Sequence, residues 1–359
     1  MASLTEQLKN CKLKKVTDPI KDFSSPKTAG YMSKEEITLY QNSVIDVNTE
    51  KWMHVLKELT FPTELCPLKI EEAKLFAKIY EKCYKNIDSQ QICDLNWRET
   101  LTSDEEIKID DVTKRLESVM EQFTTRDGFA FVKTSSRSAK DAPMVQRRFK
   151  DVYHKFLKAF HEDEQKNENI QITCLLRAAF DGLKVKTAED VVDMMLRSER
   201  IYQDMLLALE IESRFEENFI VRKFVDIDVD MEFRGFVFGG ELVALSQYNY
   251  LIFSQRLLDT GDHLKDILCK YFNDQVRPLM NGEEFPTAYI IDFAVCENGD
   301  KIWVIEINPF AETTDGGLFS WQHERHLLEG KEGFQFRIVK RPKPGAKAML
   351  PQSIKALLK

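Results

Sequence analysis

Residues 289–321 read YIIDFAVCENGDKIWVIEINPFAETTDGGLFSW, and this stretch decides the fold that we expect for the chain. It contains two runs rich in β-branched and aromatic residues, 289–296 and 301–308, on either side of an Asn-Gly pair. Such a pair between two apolar runs is a strong signal for a β-hairpin. The sequence therefore predicts a hairpin whose two strands are largely buried.

Polar side chains interrupt both predicted strands, at Asp292 in the first and at Glu306 and Asn308 in the second. Because strand side chains alternate between faces, Glu306 and Asn308 should share a face with Ile302 and Val304. Unpaired charge is costly to bury, so these groups need partners. Mg²⁺, which prefers oxygen ligands, is one candidate partner. The alternative is that the two carboxylates are edge-strand charges that prevent aggregation.

The register of the hairpin decides whether Asp292 can join the other two side chains. A two-residue loop would pair Asp292 with Ile305, which places Asp292 and Glu306 on opposite faces. A three-residue loop with Gly299 in the left-handed region would pair Asp292 with Val304. The two carboxylates would then lie diagonally on one face, about 7–8 Å apart between backbones. We expect the three-residue loop, because it permits a shared metal ion.

Length and composition indicate an ordinary folded protein with a sizeable core. The chain has 359 residues, 43% of them hydrophobic and 31% charged, which is enough for two or three lobes. No run approaches the roughly 18 apolar residues of a membrane span, and the N-terminus lacks a signal-peptide core. Seven scattered cysteines without a CxxC pair predict reduced thiols, and we expect a cytoplasmic protein.

The net charge of −8 argues against nucleic acid as the main partner, because phosphate backbones require a basic surface. It leaves ATP open, since Mg²⁺ and a few local cations offset the charge of the nucleotide. The sequence contains no GxxxxGK[ST], GxGxxG, GxSxG or HExxH motif. These absences exclude a P-loop, a Rossmann fingerprint, a serine-hydrolase elbow and a zincin helix.

Several lysines occur where predicted strands end. Lys133 closes a short alternating strand and opens a loop rich in Ser and Thr that also contains Lys140. Residues 174–180 read as a strand, followed by a turn and a short strand that carries Lys184 and Lys186. A capping signal then opens a helix, whose N-terminus suits anionic ligands. Lys133, the hydroxyls of the loop after it and Lys140 are therefore candidates for holding phosphates. The alternative for Lys133 is that it is a strand-end lysine whose ammonium extends to solvent.

The segment IEINPFAETTDGGLFSW resembles the metal-binding strand and following loop of the cell division cycle protein 123 family. VKTSSRSAKDA, LKVKTAEDV and VRKFVDIDVDMEFRGFV resemble further elements of that family, in the same order along the chain. The resemblance covers about residues 129–321. It implies an α+β, ATP-grasp-like fold with two antiparallel-sheet lobes, flanking helices and ATP between the lobes.

The resemblance also implies a division of the chain and a set of site residues, but no catalytic residue. The expected parts are a flexible tail (1–30), a helical N-terminal region (31–125), a smaller lobe (126–225), a larger lobe with the metal site (226–335) and a basic C-terminal tail (336–359). The implied contacts to ATP are Lys133, Lys184, Lys186, Arg222, Lys223, Phe224, Val225, Asp226 and Arg234. The implied Mg²⁺ ligands are Asp292, Glu306 and Asn308.

Two departures from the family pattern concern the hinge and the hairpin. Phe224 stands where the family tends to have Trp, and the spacing from Asp292 to Glu306 is one residue longer than usual. The basic tail after residue 336 is open to two interpretations, a disordered segment or an arm that contacts nucleic acid or the ribosome.

The family resemblance implies an ATP- and Mg²⁺-binding assembly factor that engages the γ subunit of translation initiation factor 2. A ligase that couples a carboxylate to an amine or thiol through an acyl phosphate is the alternative. A scaffold without nucleotide is a third class. The sequence leaves the choice among them open.

Overall fold

The computed structural model describes residues 34–85, 95–210 and 212–350. The predicted flexible tail (1–30) and the last nine residues of the predicted basic tail lie outside these ranges. Among the described residues, no helix is both long and apolar enough to cross a membrane.

The described ranges contain both helices and strands. The helices are α1 (Lys34–Ile45), α2 (Thr49–Trp52), α3 (Ile70–Cys83), α4 (Ser103–Thr124), α5 (Arg147–Leu157), α6 (Glu168–Asp181), α7 (Ala188–Arg197), α8 (Glu199–Glu210), α9 (Gln255–Tyr271), α10 (Arg277–Met280) and α11 (Trp321–Leu328). The strands are β1 (Thr63–Pro67), β2 (Ala130–Thr134), β3 (Asn218–Lys223), β4 (Glu232–Phe238), β5 (Glu241–Gln247), β6 (Tyr289–Cys296), β7 (Lys301–Pro309) and β8 (Gln335–Arg337).

The strands form two sheets, which confirms the predicted α+β class. The smaller sheet has the order β1-β3-β2 and is antiparallel throughout. The larger sheet has the order β7-β6-β4-β5-β8, and it is mixed because β8 runs parallel to β5. The larger sheet therefore departs from the expected antiparallel arrangement at one edge. The smaller sheet also takes its β1 edge from the region predicted to be helical.

In each sheet, one face packs against helices and the other face points toward the second sheet. The core of the smaller sheet contains Val132, Phe219 and Val221, packed against apolar side chains of α3, α4 and α7. The core of the larger sheet contains Phe233 and Phe293, packed against α9. Because these helices cover the outer faces, the polar side chains of the inner faces meet between the sheets.

The hairpin of β6 and β7 forms, but its register differs from the predicted one. Its loop has four residues, 297–300, since Cys296 lies opposite Lys301. A β-bulge at Ile305 then shifts the pairing, so that Asp292 lies directly opposite Glu306. The predicted three-residue loop, and the pairing of Asp292 with Val304, are therefore wrong. The bulge nevertheless puts both carboxylates on one face, because it adds one residue to a single strand.

Because of the bulge, the side chains of β7 are distributed over the two faces of the sheet differently from the prediction. Ile302 and Val304 pack in the core against α9, together with Ile307. Trp303 and Ile305 belong to a separate apolar cluster on the opposite face. Glu306 was predicted to share its face with Ile302 and Val304, and the extra residue reverses that assignment.

Two further predictions about local structure are wrong. Residues 174–180, predicted as a strand, lie in helix α6, whose N-cap is Asn167. Residues 336–350 of the predicted basic tail are ordered, which contradicts the interpretation as a disordered segment, because β8 pairs with β5 and the side chains of Ala346 and Leu350 are buried against α6. In the first case the local residue pattern was also compatible with a strand. In the second case packing against the rest of the protein orders a segment whose composition is typical of disorder.

Arg222 joins the two sheets rather than facing an open cavity. Its guanidinium is buried, donates to the Ile305 carbonyl at 2.7 Å and to the hydroxyls of Thr60 and Thr63, and stacks on the ring of Phe61 at 4.6 Å. Burial lowers the pKa of this guanidinium to about 10. The bulged residue of β7 is thus held by a residue of β3.

The substitution Arg222→Met tests this connection. We expect the free energy of unfolding to fall by about 1–3 kcal/mol, because the Ile305 carbonyl and a buried hydroxyl lose their donor. The neighbouring change Lys223→Met, at an exposed side chain, should alter it by less than about 0.5 kcal/mol. Urea denaturation of both variants measures the difference, and equal stabilities would show that Arg222 does not join the sheets.

Candidate functional site

The centre of the candidate site is an ion pair between the two sheets. Lys133 of β2 donates to Oε1 of Glu306 on β7. The same ammonium also donates to the Thr49 hydroxyl at 3.2 Å and to the Ser136 carbonyl at 3.1 Å. Lys133 is 2% exposed, so the predicted alternative of a lysine that extends to solvent is excluded.

A second ion pair lies within the larger sheet. Arg234 of β4 binds both oxygens of Asp292 on β6, each at 2.8 Å, and also donates to the Asp315 carbonyl at 2.6 Å. The Asn308 amide donates to the same carboxylate at 3.2 Å. Burial alone would lower the pKa of Arg234, but the Asp292 carboxylate outweighs burial and raises it. Asp292 and Asn308 therefore share one hydrogen-bonded group, whereas Glu306, directly opposite Asp292 in the sheet, pairs with Lys133.

A polar cavity of about 300 Å³ opens beside these pairs. Glu306, Asn308 and Arg234 line it from the larger sheet, and Lys140 and Arg200 line it from the other side. The Lys140 ammonium donates to the Tyr248 hydroxyl at 2.8 Å. Cations from both sides thus face the carboxylate of Glu306.

The electrostatics of the cavity favour ionised groups. Burial by itself would raise the pKa of Glu306, but Lys133 and Lys140 outweigh it and lower that pKa to about 2. Burial would likewise lower the pKa of Lys140, but Tyr248, Glu232 and Glu306 together raise it. Glu306 and Lys140 are therefore charged at neutral pH.

An apolar slot of about 200 Å³ adjoins the polar cavity, and Lys140 and Tyr248 line both. The walls of the slot are mainly apolar side chains, with a polar end; they include Phe61, Phe131, Met144, Phe180, Val225, Ile227, Ile305 and Glu232. A planar, mostly apolar group would fit such a slot, and its polar substituents would reach the larger cavity.

The hinge at residues 223–225 borders the slot, as the resemblance implied. The Lys223 N–H donates to the Pro62 carbonyl and the Phe224 N–H donates to the Phe129 carbonyl, both at 2.9 Å. Within ranges 34–85, 95–210 and 212–350, no acceptor lies within hydrogen-bonding distance of the Val225 N–H. One backbone donor of the hinge thus remains for a ligand.

The other implied ATP contacts line neither the slot nor the polar cavity. Lys184 bonds Asp181 at 2.7 Å and, with Asp226, lines a wide cleft of about 850 Å³ that shares Lys223, Phe224 and Val225 with the slot. Lys186 donates to the Arg126 and Gly128 carbonyls at 2.6 and 3.0 Å. Lys186 and Arg222 line neither the slot nor the polar cavity.

Several residues of the site were not predicted. Tyr248 follows β5, Arg200 lies in the first turn of α8, and Glu232 begins β4. No local motif marks any of the three, since their roles depend on the contact between two sheets. Lys140 was predicted, with Lys133 and the loop hydroxyls, as a candidate contact to phosphates, but its hydrogen bond to the Tyr248 hydroxyl was not predicted.

The donor set suits a magnesium ion bound together with phosphates. Arg234 occupies both oxygens of Asp292, whereas Lys133 bonds only one oxygen of Glu306. Asn308 uses its amide nitrogen on Asp292, so its oxygen is the atom left for a cation. Mg²⁺ is commonly held by one or two protein oxygens plus substrate phosphates. Glu306 and Asn308 fit that requirement best, and Asp292 would orient Asn308.

The depressed pKa of Glu306 predicts a pH dependence of stability. An ordinary glutamate has a pKa of 4.5, so the stabilisation from ionised Glu306 is complete above that pH and is lost as the pH falls toward about 2. We expect the difference in unfolding free energy between wild type and Glu306→Gln to be largest above pH 4.5 and to shrink below it. Urea denaturation across this range measures the difference.

The exposed change Glu106→Gln on α4 is the matched control, and it should differ little from wild type at any pH. A difference between wild type and Glu306→Gln that stays constant down to the acid limit would contradict the proposed ion pair.

Comparisons with known proteins bear on the family. The model of the D123 family matches residues 172–356, slightly more than half of the chain. A translation initiation factor eIF2 assembly protein from Aspergillus niger is 29% identical over 133 residues, which are 36% of this chain and 34% of that protein. A cell division cycle protein 123 from Eremothecium gossypii is 30% identical over 151 residues, 40% of this chain and 37% of that protein. The matched part spans about a third of the length of these relatives.

A solved structure supports the fold. The structure of Cdc123 from Schizosaccharomyces pombe superposes with a TM-score of 0.58, covers 84% of this chain and 98% of its own, and is 16% identical in sequence. At that identity the likeness concerns the fold alone. Together with the D123 match over more than half of the residues, it confirms the predicted relationship: the chain belongs to the D123 family.

Proposed function

We propose that this D123 protein binds ATP and Mg²⁺ between its two sheets and acts in the cytoplasm as an assembly factor for translation initiation factor 2, through the γ subunit. The observation that carries the proposal is the apolar slot that opens into a cationic cavity with two free oxygen ligands. In the proposal, the two sheets form an ATP-grasp arrangement.

Adenine would occupy the apolar slot. Its ring is planar and largely apolar, and Phe61 and Ile305 offer apolar surface from the two sheets. The Val225 N–H would donate to a ring nitrogen. The Glu232 carboxylate, whose pKa burial raises, lies in the same slot and would accept from the exocyclic amine. The hinge residues implied by the family resemblance would thus bind adenine through backbone groups more than through side chains.

The triphosphate would extend into the polar cavity. Lys140 and Arg234 line that cavity, and each would place positive charge near the phosphate oxygens. Bound Mg²⁺ would neutralise charge on the phosphates, with Glu306 and Asn308 as its protein ligands. Lys133 would keep Glu306 ionised and oriented, because its ammonium is fixed by Thr49 and Ser136.

The proposed partner follows from the relatives. The protein from Aspergillus niger carries the name translation initiation factor eIF2 assembly protein, and a protein from Xenopus laevis carries the same name with 28% identity over 109 residues. Membership of one family supports the same role for this chain. Engagement through the γ subunit is the finer part of the proposal.

A second candidate function is an ATP-dependent ligase. The polar cavity continues past Glu306 to Arg200 and Thr313, which leaves room for an acceptor beside the phosphates. A carboxylate there would attack the γ-phosphorus and break its bond to the bridging oxygen, releasing ADP and forming an acyl phosphate. An amine or thiol would then attack the acyl carbon and release phosphate. This function predicts nucleotide turnover, whereas the assembly factor requires only binding.

Calorimetric titration with ATP tests the nucleotide site. We expect binding by wild type with Mg²⁺, weaker binding without it, and at least about tenfold weaker Mg²⁺-dependent binding by Glu306→Ala, since a metal ligand of this kind is worth more than about 1.4 kcal/mol. Glu241→Ala is the control, because Glu241 is exposed and pairs with Arg277. It should bind as wild type does.

The nucleotide recovered after titration separates the candidates. Intact ATP supports the assembly factor, and ADP with phosphate supports the ligase. Absence of binding by every variant would contradict the nucleotide site and leave a scaffold.

Co-purification with translation initiation factor 2 tests the partner. We expect the γ subunit to be retained by the wild-type protein in the presence of Mg²⁺ and ATP, and to be retained less by Glu306→Ala if nucleotide orders the interface. Retention of the α or β subunit alone, without γ, would contradict the proposed partner. The exposed variant Glu241→Ala again serves as the control.

A further inference from the structure

Three buried oxygen atoms near the loop after β2 lack hydrogen-bond partners among the described residues. They are Oδ1 of Asn48, Oε2 of Glu50 and Oε2 of Glu217. Asn48 and Glu217 are only 4% and 8% exposed. A buried acceptor without a donor destabilises a fold, so three acceptors in one neighbourhood point to a missing positively charged or hydrogen-donating group.

Two of these oxygens belong to residues that line one small cavity. Asn48 and Glu217 line a space of about 30 Å³, with Gln41 and Ser136 also in its walls. This volume holds one water molecule or one dehydrated ion. The cavity lies between α1, α8 and the loop after β2, and it adjoins the polar cavity, since Asn48 and Ser136 line both.

The charges around the cavity are unbalanced. Asp204 is satisfied, because Arg137 donates to its Oδ1 at 2.6 Å through Nε and Ser136 donates to its Oδ2 at 2.6 Å. Glu50 and Glu217 have no ion-pair partner in the part of the chain that the structure describes. Burial, with the fields of Asp204 and Glu50, raises the pKa of Glu217. The charge of Lys133 lowers the pKa of both carboxyls, but burial outweighs it and raises the pKa of each.

A hydrogen bond to Glu50 fixes the orientation of the Asn48 side-chain amide. Its amide nitrogen donates to Oε1 of Glu50 at 3.5 Å, which leaves the amide oxygen as the group that faces a ligand. The opposite orientation would place two acceptor oxygens against each other. Arg214 also lines the cavity, but its side chain is exposed and donates to Asn42.

We propose that this cavity binds a dehydrated alkali-metal cation, K⁺ or Na⁺, through the oxygens of Asn48 and Glu217, with Glu50 held next to Asn48. A cation supplies a partner for both lining oxygens and positive charge next to the carboxyls, whereas a neutral water molecule adds no charge. A monovalent ion suits the donor set. No group of three or more His, Cys, Asp or Glu side chains with metal-binding geometry occurs among the described residues, as a tight divalent site would need.

The cation would fasten the N-terminal segment to the loop that follows Lys133. Thr49 lies between Asn48 and Glu50 in the chain. It donates to the Ser135 carbonyl through both its N–H and its hydroxyl, each at 3.1 Å. The Ser135 hydroxyl in turn accepts from the Asn218 N–H at 2.9 Å. The site adjoins the proposed triphosphate cavity, but loading it stabilises the folded protein in the absence of ATP, so it can be tested without nucleotide.

Thermal unfolding of the full chain in KCl, NaCl and choline chloride, at one pH and one ionic strength, tests the site. Choline is too large to enter the cavity. We expect K⁺ or Na⁺ to raise the melting temperature by about 2–4 °C over choline and the rise to saturate with concentration, because a ligand that binds only the folded state stabilises it. The rise should be absent in Glu217→Gln, whose amide donates a hydrogen and carries no charge.

The exposed change Glu212→Gln, at a residue that pairs with Lys74, is the matched control and should keep the full cation dependence. Equal melting temperatures of wild type in the three salts would overturn the proposal, even if Glu217→Gln failed to fold. A melting temperature that depends on pH but not on the choice of cation would also overturn it, since a shared proton would then satisfy the carboxyls.

Discussion

The buried ion pair between Lys133 and Glu306 is the interaction on which the rest of the site depends. It joins the two sheets beside the polar cavity, which Glu306 lines. Removing one partner of such a pair costs about 3–5 kcal/mol, because the other charge stays buried. The pair is therefore stable only while both sheets keep their positions, and Arg222, which binds the bulged Ile305, fixes those positions from the other side.

The bulge at Ile305 explains why one hairpin serves both packing and chemistry. Without the extra residue, Asp292 and Glu306 would lie on opposite faces of the sheet, and one carboxylate would be driven into the core beside Phe293. With it, Val304 stays in the core while Glu306 turns toward β2.

Residue pattern predicted those parts of the fold that depend on neighbours in the chain. The hairpin of β6 and β7, with polar side chains in both strands, follows from alternation and turn chemistry. Residue pattern did not predict those features that depend on packing between residues far apart in the chain. Helix α6 was predicted in part as a strand because its apolar run is short and β-compatible. Tyr248 gave no local signal, since its partner Lys140 lies 108 residues away.

A crystal structure of the protein with Mg²⁺ and a non-hydrolysable ATP analogue tests the central claim most directly. The account predicts the adenine ring between Phe61 and Ile305, a bond from the Val225 N–H, and Mg²⁺ held by Glu306 and Asn308 while Asp292 remains on Arg234. A nucleotide bound in the wide cleft beside Lys184, or a metal ion held away from Glu306, would contradict it.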